Sequence, residues 1–162
     1  MYFSNFPEML YEFNIDGKDQ LVQVKDITRN IRFRRDVLAN ITIYDEYDIV
    51  DGESPEIVAE KIYGNPNYHW IIMLTNDIYD VKNDWILSQY DFEKHVDSKY
   101  GSNIYSTHHY ELNGYIVDST EVGAYPVSNY EYENAINESK RRIKIIPASL
   151  VSNILTQFKS II

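Results

Sequence analysis

The sequence predicts an α+β protein, and three observations carry that expectation. Two Asx-Gly pairs, Asp16-Gly17 and Asn113-Gly114, each sit between runs rich in aromatic and β-branched residues, the signal of a tight two-residue hairpin turn. Three serines, Ser54, Ser88 and Ser128, stand directly before segments with helical periodicity, where a side-chain hydroxyl can accept a free backbone N–H. Two further strand signals, Ile41 to Val50 and Arg142 to Ile146, lie nearly a hundred residues apart. With 162 residues, one core with elaborations is expected rather than two full domains.

Taken in order, residues 8 to 24 form a hairpin around Asp16-Gly17, and Lys25 to Asn40 carries Arg29, Arg32, Arg34 and Arg35 between apolar residues. Ile41 to Val50 reads as a strand that stops at Asp51-Gly52. Ser54-Pro55 then opens a helix over 55–63, because Pro55 has no N–H to leave unpaired in the first turn. Its apolar residues Ile57, Val58, Ile62 and Tyr63 are expected on one face, with Gly64 as the left-handed cap. A second helix over about 67–75 is apolar nearly all round, which marks a buried element. A third helix runs from Ser88 to about Tyr100, a second hairpin turns at Asn113-Gly114, and Ser128-Asn129-Tyr130-Glu131 has the capping-box pattern of a charged helix. RIKII at 142–146 reads as a short strand ended by Pro147. From Ala148 to Ile162, Val151, Leu155 and Phe158 form one stripe of an amphipathic helix, with Leu150 and Ile154 beside it.

Composition excludes several functions. The 25 acids against 15 bases leave a formal charge of −10, which disfavours nucleic acid and an anionic membrane surface as partners. No cysteine is present, so thiol catalysis, thiolate metal sites and disulfides are absent. No apolar run approaches the roughly 20 residues of a membrane-spanning helix, so a soluble protein is expected. The six glycines never fall at a phosphate-cradling spacing, and no Gly-x-Ser-x-Gly occurs. Asp77, Asp80 and Asp84 lack the alternation of a calcium loop and are expected to form turns and helix caps. His108 and His109 are adjacent on a strand, so they point to opposite faces and cannot share a metal unless a bulge intervenes. Neither an enzyme nor a cofactor-binding protein is expected.

Charge is unevenly placed. Seven acids and no base lie between Asp45 and Glu60, whereas Arg29 to Arg35 and Lys140 to Lys144 hold four bases each. Such blocks register against partners or against one another. The 15 tyrosines are abundant enough to serve both a core and interfaces.

At Val50 to Pro66 the sequence VDGESPEIVAEKIYGNP resembles the Gly-Asp-Thr…Tyr-Gly signature of LysM modules, and RIKIIP at 142–147 is similar to their closing strand. The second strand arrives some sixty residues late for a simple LysM module. That spacing, the stretches Tyr63-Gly64-Asn65-Pro66 and Asn76-Asp77-Ile78-Tyr79-Asp80, and the early Asp26-Ile27-Thr28-Arg29-Asn30 resemble one family: the LysM-like baseplate wedge protein of contractile-tailed bacteriophages. The resemblance implies a LysM-like β-α-α-β core with a long helix and hairpin insertion before the second strand, an N-terminal hairpin arm and a C-terminal amphipathic helix. The expected boundaries are 1–40 for the hairpin and basic arm, 41–147 for the LysM-like domain with its insertion at about 85–140, and 148–162 for the terminal helix. It also implies a structural role in the virion tail baseplate, assembled in the host cytoplasm and present in multiple copies. The partners implied are other wedge subunits, namely the large core-bundle wedge proteins and the small sheath-initiating wedge protein.

On that reading Arg29, Arg32, Arg34, Arg35, Leu150, Val151, Ile154, Leu155 and Phe158 are the candidate partner-binding residues. Truncation after Pro147 is then expected to abolish assembly while leaving the body folded. The alternative is a LysM-type carbohydrate-binding module recognising peptidoglycan. Its groove would fall at Gly52, Glu53, Ser54, Pro55, Asn76, Asp77, Ile78 and Tyr79. Tyr63, Tyr68 and Tyr79, in the motif-bearing body, are expected at or near the core.

Overall fold

A computed structural model describes residues 6–28 and 44–161, with side chains to Thr156. The expected basic arm, including Arg29, Arg32, Arg34 and Arg35, lies outside the described residues, as does the Phe158 side chain. Among the described residues the architecture is α+β, six α-helices with three small sheets. The elements in chain order are β1 (Glu8–Ile15), β2 (Lys18–Lys25), β3 (Asp45–Asp48), α1 (Pro55–Tyr63), α2 (His69–Thr75), α3 (Val81–Asp84), α4 (Gln89–Tyr100), β4 (Thr107–Leu112), β5 (Tyr115–Val117), β6 (Tyr125–Ser128), α5 (Asn129–Glu138), β7 (Arg142–Ile145) and α6 (Val151–Ile161). β1 pairs with β2, β3 with β7, and the third sheet has the order β5-β4-β6. The chain divides into two compact units, one of Met1–Tyr47, Ser54–Tyr79 and Lys144–Ile162, the other of Asp48–Glu53 and Asp80–Ile143.

In the first unit, α1 starts where Ser54 accepts the Ile57 N–H and stops where Gly64 adopts φ +67°, its N–H capping the Glu60 carbonyl. The helix buries Val58 and Ala59, while Ile57 is 46% exposed, so the inward face is centred one residue further along than the apolar spacing suggests. A 3₁₀ turn, Pro66–Tyr68, capped by the Asn65 side chain, leads into α2, whose Trp70, Ile71 and Ile72 are buried. Phe6, Trp70, Ile71, Ile146, Val151 and Ile154 form the core of this unit, with Tyr63, Tyr68, Leu150 and Leu155 packed against it. Tyr63 hides its hydroxyl there without a hydrogen-bond partner among the described residues. Burial pushes its pKa up to about 12. Tyr79, by contrast, is 57% exposed and lies outside that core. Asn76 closes the unit's far side: its Nδ2 donates to the Lys144 carbonyl at 2.8 Å and its Oδ1 accepts the Lys144 N–H at 2.8 Å, so one side chain pairs with β7 as a strand would.

The hairpin belongs to the same unit. Asp16 and Gly17 both have positive φ, +53° and +76°, the geometry of the primed turn that suits the twist of two strands. Its base is fixed by Phe6, buried in the core, by the Asp26 N–H donating to the Pro7 carbonyl and by Lys25 Nζ donating to the Phe6 carbonyl at 3.1 Å.

In the second unit the buried apolar residues are Ile49, Trp85, Ile86, Phe92, Val96 and Ile143. The Trp85 indole donates to the Glu53 carbonyl at 2.7 Å, which satisfies the ring's one polar atom inside the core. Phe92 and Val96, one turn apart on α4, face inward, and Tyr130 of α5 meets Phe92 edge-on at 5.4 Å. The capping box is complete, with Ser128 accepting the Glu131 N–H and Glu131 accepting the Ser128 N–H. Strand β6 was not expected from the sequence, because Pro126 sits in it. The strand lies at a sheet edge, where a residue without an N–H is tolerated.

Asn137 does in this unit what Asn76 does in the other. Its Oδ1 accepts the Leu87 N–H at 2.8 Å and its Nδ2 donates to the Leu87 carbonyl at 3.2 Å, and the side chain is buried. Asn137→Ala would leave both backbone groups unpaired, so we expect a loss of about 1–3 kcal/mol, read as a lowered urea midpoint with unchanged slope. A change under about 0.5 kcal/mol would mean water replaces the amide without cost.

Candidate functional site

Three surfaces could carry function. The first is the hairpin. Residues directly opposite in an antiparallel pair share a face, so the register places Met9, Tyr11, Phe13 and Ile15 with Val24, Val22, Gln20 and Lys18. Tyr11, Phe13 and Ile15 are 51%, 41% and 44% exposed, and the Tyr11 and Phe13 rings touch at 4.9 Å between centroids. The other face alternates charge with apolar residues, the Glu8–Lys25 ion pair beside exposed Leu10 and Leu21. A two-stranded hairpin is marginal on its own in water, and an exposed aromatic row of this kind is uncommon unless it meets another surface.

The second is the terminal helix. The structure places Val151 and Ile154 in the core of the first unit and packs Leu150 and Leu155 against that core. The apolar stripe expected to meet partners is therefore largely used on the protein's own body. The stripe itself was legible from spacing, but spacing does not say whose surface buries it.

The third is a cleft of 280 Å³ in the second unit, lined by residues that include Lys82, Leu87, Phe92, His95, Glu133 and Lys140. Glu133, 6% exposed, receives Lys99 Nζ at 2.7 Å and the Tyr100 hydroxyl at 2.8 Å, with His95 Nε2 at 3.5 Å. Burial raises its pKa, but the hydrogen bonds from Lys99 and Tyr100 outweigh burial and hold the carboxyl below the usual range. It is thus a fixed anion and not a poised proton donor.

The groove residues expected for a sugar-binding module have local duties. Ser54 caps α1 and Pro55 is buried at its first turn. Glu53 is buried and accepts the Val50 N–H, and Gly52 takes φ +77°. Asn76 holds Lys144, Asp77 adopts φ +54° and accepts the exposed Tyr79 hydroxyl at 3.3 Å, and Ile78 is buried. Asp80 caps α3 through the Lys82 N–H, and Asp84 accepts the Asp80 N–H, as turn and cap aspartates should. Among the described residues, no group of three or more His, Asp or Glu is placed to hold a metal, and no helix is long and apolar enough to cross a membrane.

Three of the four bases in the second basic block are engaged within the chain. Arg142 makes a two-pronged contact with Asp48 at 2.8 and 3.0 Å. Arg141 does the same with Glu138 and also donates to the Ile49 carbonyl, and Lys140 donates to the Asn83 carbonyl. Arg142 holds Asp48 below the ordinary carboxylate range, as Arg141 does Glu138 and Ser128 does Glu131. With Glu133 these groups have folded pKa values lower than unfolded ones, so the unfolded chain binds more protons as pH falls. Their stabilisation is present above the ordinary carboxylate range, about 4, and is lost on acidification. The unfolding midpoint should be flat from pH 6 to 8 and fall below about pH 5. Glu133→Gln should show a shallower fall, and an identical pH profile would remove Glu133 from the account.

The anchored hairpin thus leaves an aromatic face exposed, while the carboxylates are held in ion pairs and the expected groove residues serve local caps, turns and hydrogen bonds. Residues 1–120 match the family model described as base plate wedge protein 53. Over 183 aligned positions the chain is 29% identical to the baseplate wedge protein gp53 of Enterobacteria phage T4, covering 96% of this chain and 92% of that protein. The chain belongs to the base plate wedge protein 53 family, the baseplate wedge proteins of contractile phages, and is a structural component of the virion tail baseplate.

Proposed function

We propose that this protein binds other wedge subunits and thereby helps assemble and tie together the inner baseplate, with β3, α1, α2 and β7 as a LysM-like core and an insertion at about 85–140. The observation that carries the reading is the hairpin: its base is buried in the core through Phe6, while Tyr11, Phe13 and Ile15 remain exposed along one face. A rigidly rooted aromatic face is what an interface uses as an anchor, since Tyr and Phe bury large area with few rotatable bonds. The partners are the large core-bundle wedge proteins and the small sheath-initiating wedge protein. The basic arm at Arg29, Arg32, Arg34 and Arg35 would add charge to the same docking, and Leu150, Leu155 and Phe158 would contribute only whatever surface α6 does not bury on its own body.

The test is co-sedimentation of the purified protein with the other wedge subunits and, separately, with cell-wall sacculi. Comigration with wedge subunits and no retention on sacculi is expected. Retention on sacculi without comigration would replace the assembly reading with carbohydrate binding.

A further inference from the structure

The sequence forbids a shared metal at His108 and His109 unless β4 carries a bulge, and β4 carries one. Thr107 opposes Ser128 and His109 opposes Val127, so two steps along β4 match one along β6, and His108 is the extra residue. The two imidazoles consequently come together instead of pointing to opposite faces. Their Nδ1 atoms are 2.8 Å apart with the ring planes at 85°.

Each ring is held from behind. His108 stacks on Tyr132 of α5 at 3.9 Å between centroids and 11° between planes. His109 places Nε2 2.9 Å from Glu111 Oε1, and the Tyr125 hydroxyl donates to the other carboxylate oxygen at 3.1 Å. Glu111 thus accepts from both neighbours, one through each carboxylate oxygen. With its Nε2 proton directed at Glu111, neutral His109 has its lone pair on Nδ1. A carboxylate that orients a histidine through its far nitrogen is the outer-shell arrangement of metal-binding histidines. The electrostatics favour a cation as well: the Glu111 carboxylate lies against His109, and residues 107–138 hold no lysine or arginine.

We propose that His108 and His109 form a two-imidazole site for a divalent first-row cation that prefers nitrogen ligands, with its remaining positions open to water. A zinc ion about 2.0–2.1 Å from each nitrogen at a tetrahedral angle separates them by about 3.3 Å. The pair must therefore open by only about 0.5 Å from the 2.8 Å seen here, a shift within reach of exposed His108. In the hydrogen-bonded pair His108 donates from Nδ1. On metal binding that proton moves to its Nε2 through solvent, both Nδ1 lone pairs reach the ion, and no net proton is released. Two protein ligands make this a site of modest affinity.

The test is calorimetric titration of the full-length protein with zinc chloride, beside His108→Gln, His109→Gln, Glu111→Gln and His95→Gln variants checked for folding by circular dichroism. One saturable equivalent is expected, weakened at least about tenfold in the first three variants and unchanged in the fourth. Because a variant at the bulge can misfold, the wild-type imidazole nitrogens are also followed by NMR. Zinc should shift Nδ1 of both His108 and His109 and leave Nε2 of His109 protonated. Absence of saturable binding, binding retained in both histidine variants, or binding that leaves these Nδ1 signals unmoved would overturn the site.

Discussion

Deleting the chain after Pro147 is expected to unfold the first unit, not merely to detach an arm. The deletion removes Val151 and Ile154 from a core they share with Phe6, Trp70, Ile71 and Ile146. Losing one such aliphatic side chain costs about 2–5 kcal/mol, and two approach the whole stability of a domain, roughly 5–15 kcal/mol. Near-ultraviolet circular dichroism should lose the Trp70 environment, and urea unfolding should lose its cooperative transition. Ile154→Ala offers a graded form, expected to lower stability by about 2–5 kcal/mol. A truncated protein with an unchanged melt would restore the view of the helix as a free docking arm.

Replacing Tyr11 and Phe13 together with Asp should produce the opposite pattern, lost assembly with retained stability. Both side chains are substantially exposed at the far end of a hairpin whose base is held by Phe6, Pro7 and Lys25. Their removal from the isolated protein should therefore cost no more than about 1 kcal/mol. In an interface each would instead bury a charge against apolar surface, which a complex resists by several kcal/mol. Incorporation of the doubly substituted protein into wedges should fall at least about a hundredfold at a given concentration. Normal incorporation would remove this face from the interface.

The parts of the fold encoded by neighbouring residues were readable beforehand. Asp16-Gly17, Asn113-Gly114, Ser54-Pro55 and the Ser128–Glu131 box act within four residues of one another, and the structure has a turn or helix start at each. Strand β6 and the bulge at His108 were not readable, because each is defined by what lies across the sheet. The candidate site divides along the same line. The apolar spacing of Val151 and Ile154 was visible, but whether a partner or the protein's own α2 receives them depends on the course of the chain between them. Asn76 and Asn137 carry no local signal for their pairing with Lys144 and Leu87, since an amide replaces a strand neighbour only once the partner backbone is in place. The hairpin face follows from alternation once its register is known, yet its exposure, and hence its value as an interface, is a property of the folded unit.

The central claim, that the face bearing Tyr11, Phe13 and Ile15 is a docking surface for another wedge subunit, is tested most directly by placing a photo-crosslinking amino acid at Phe13 and irradiating assembled baseplates. The account predicts a covalent adduct between this chain and another wedge subunit, identified by mass spectrometry and absent when the same residue is placed at Asp97 on α4. Adducts confined to this chain, or none above the Asp97 control, would contradict it.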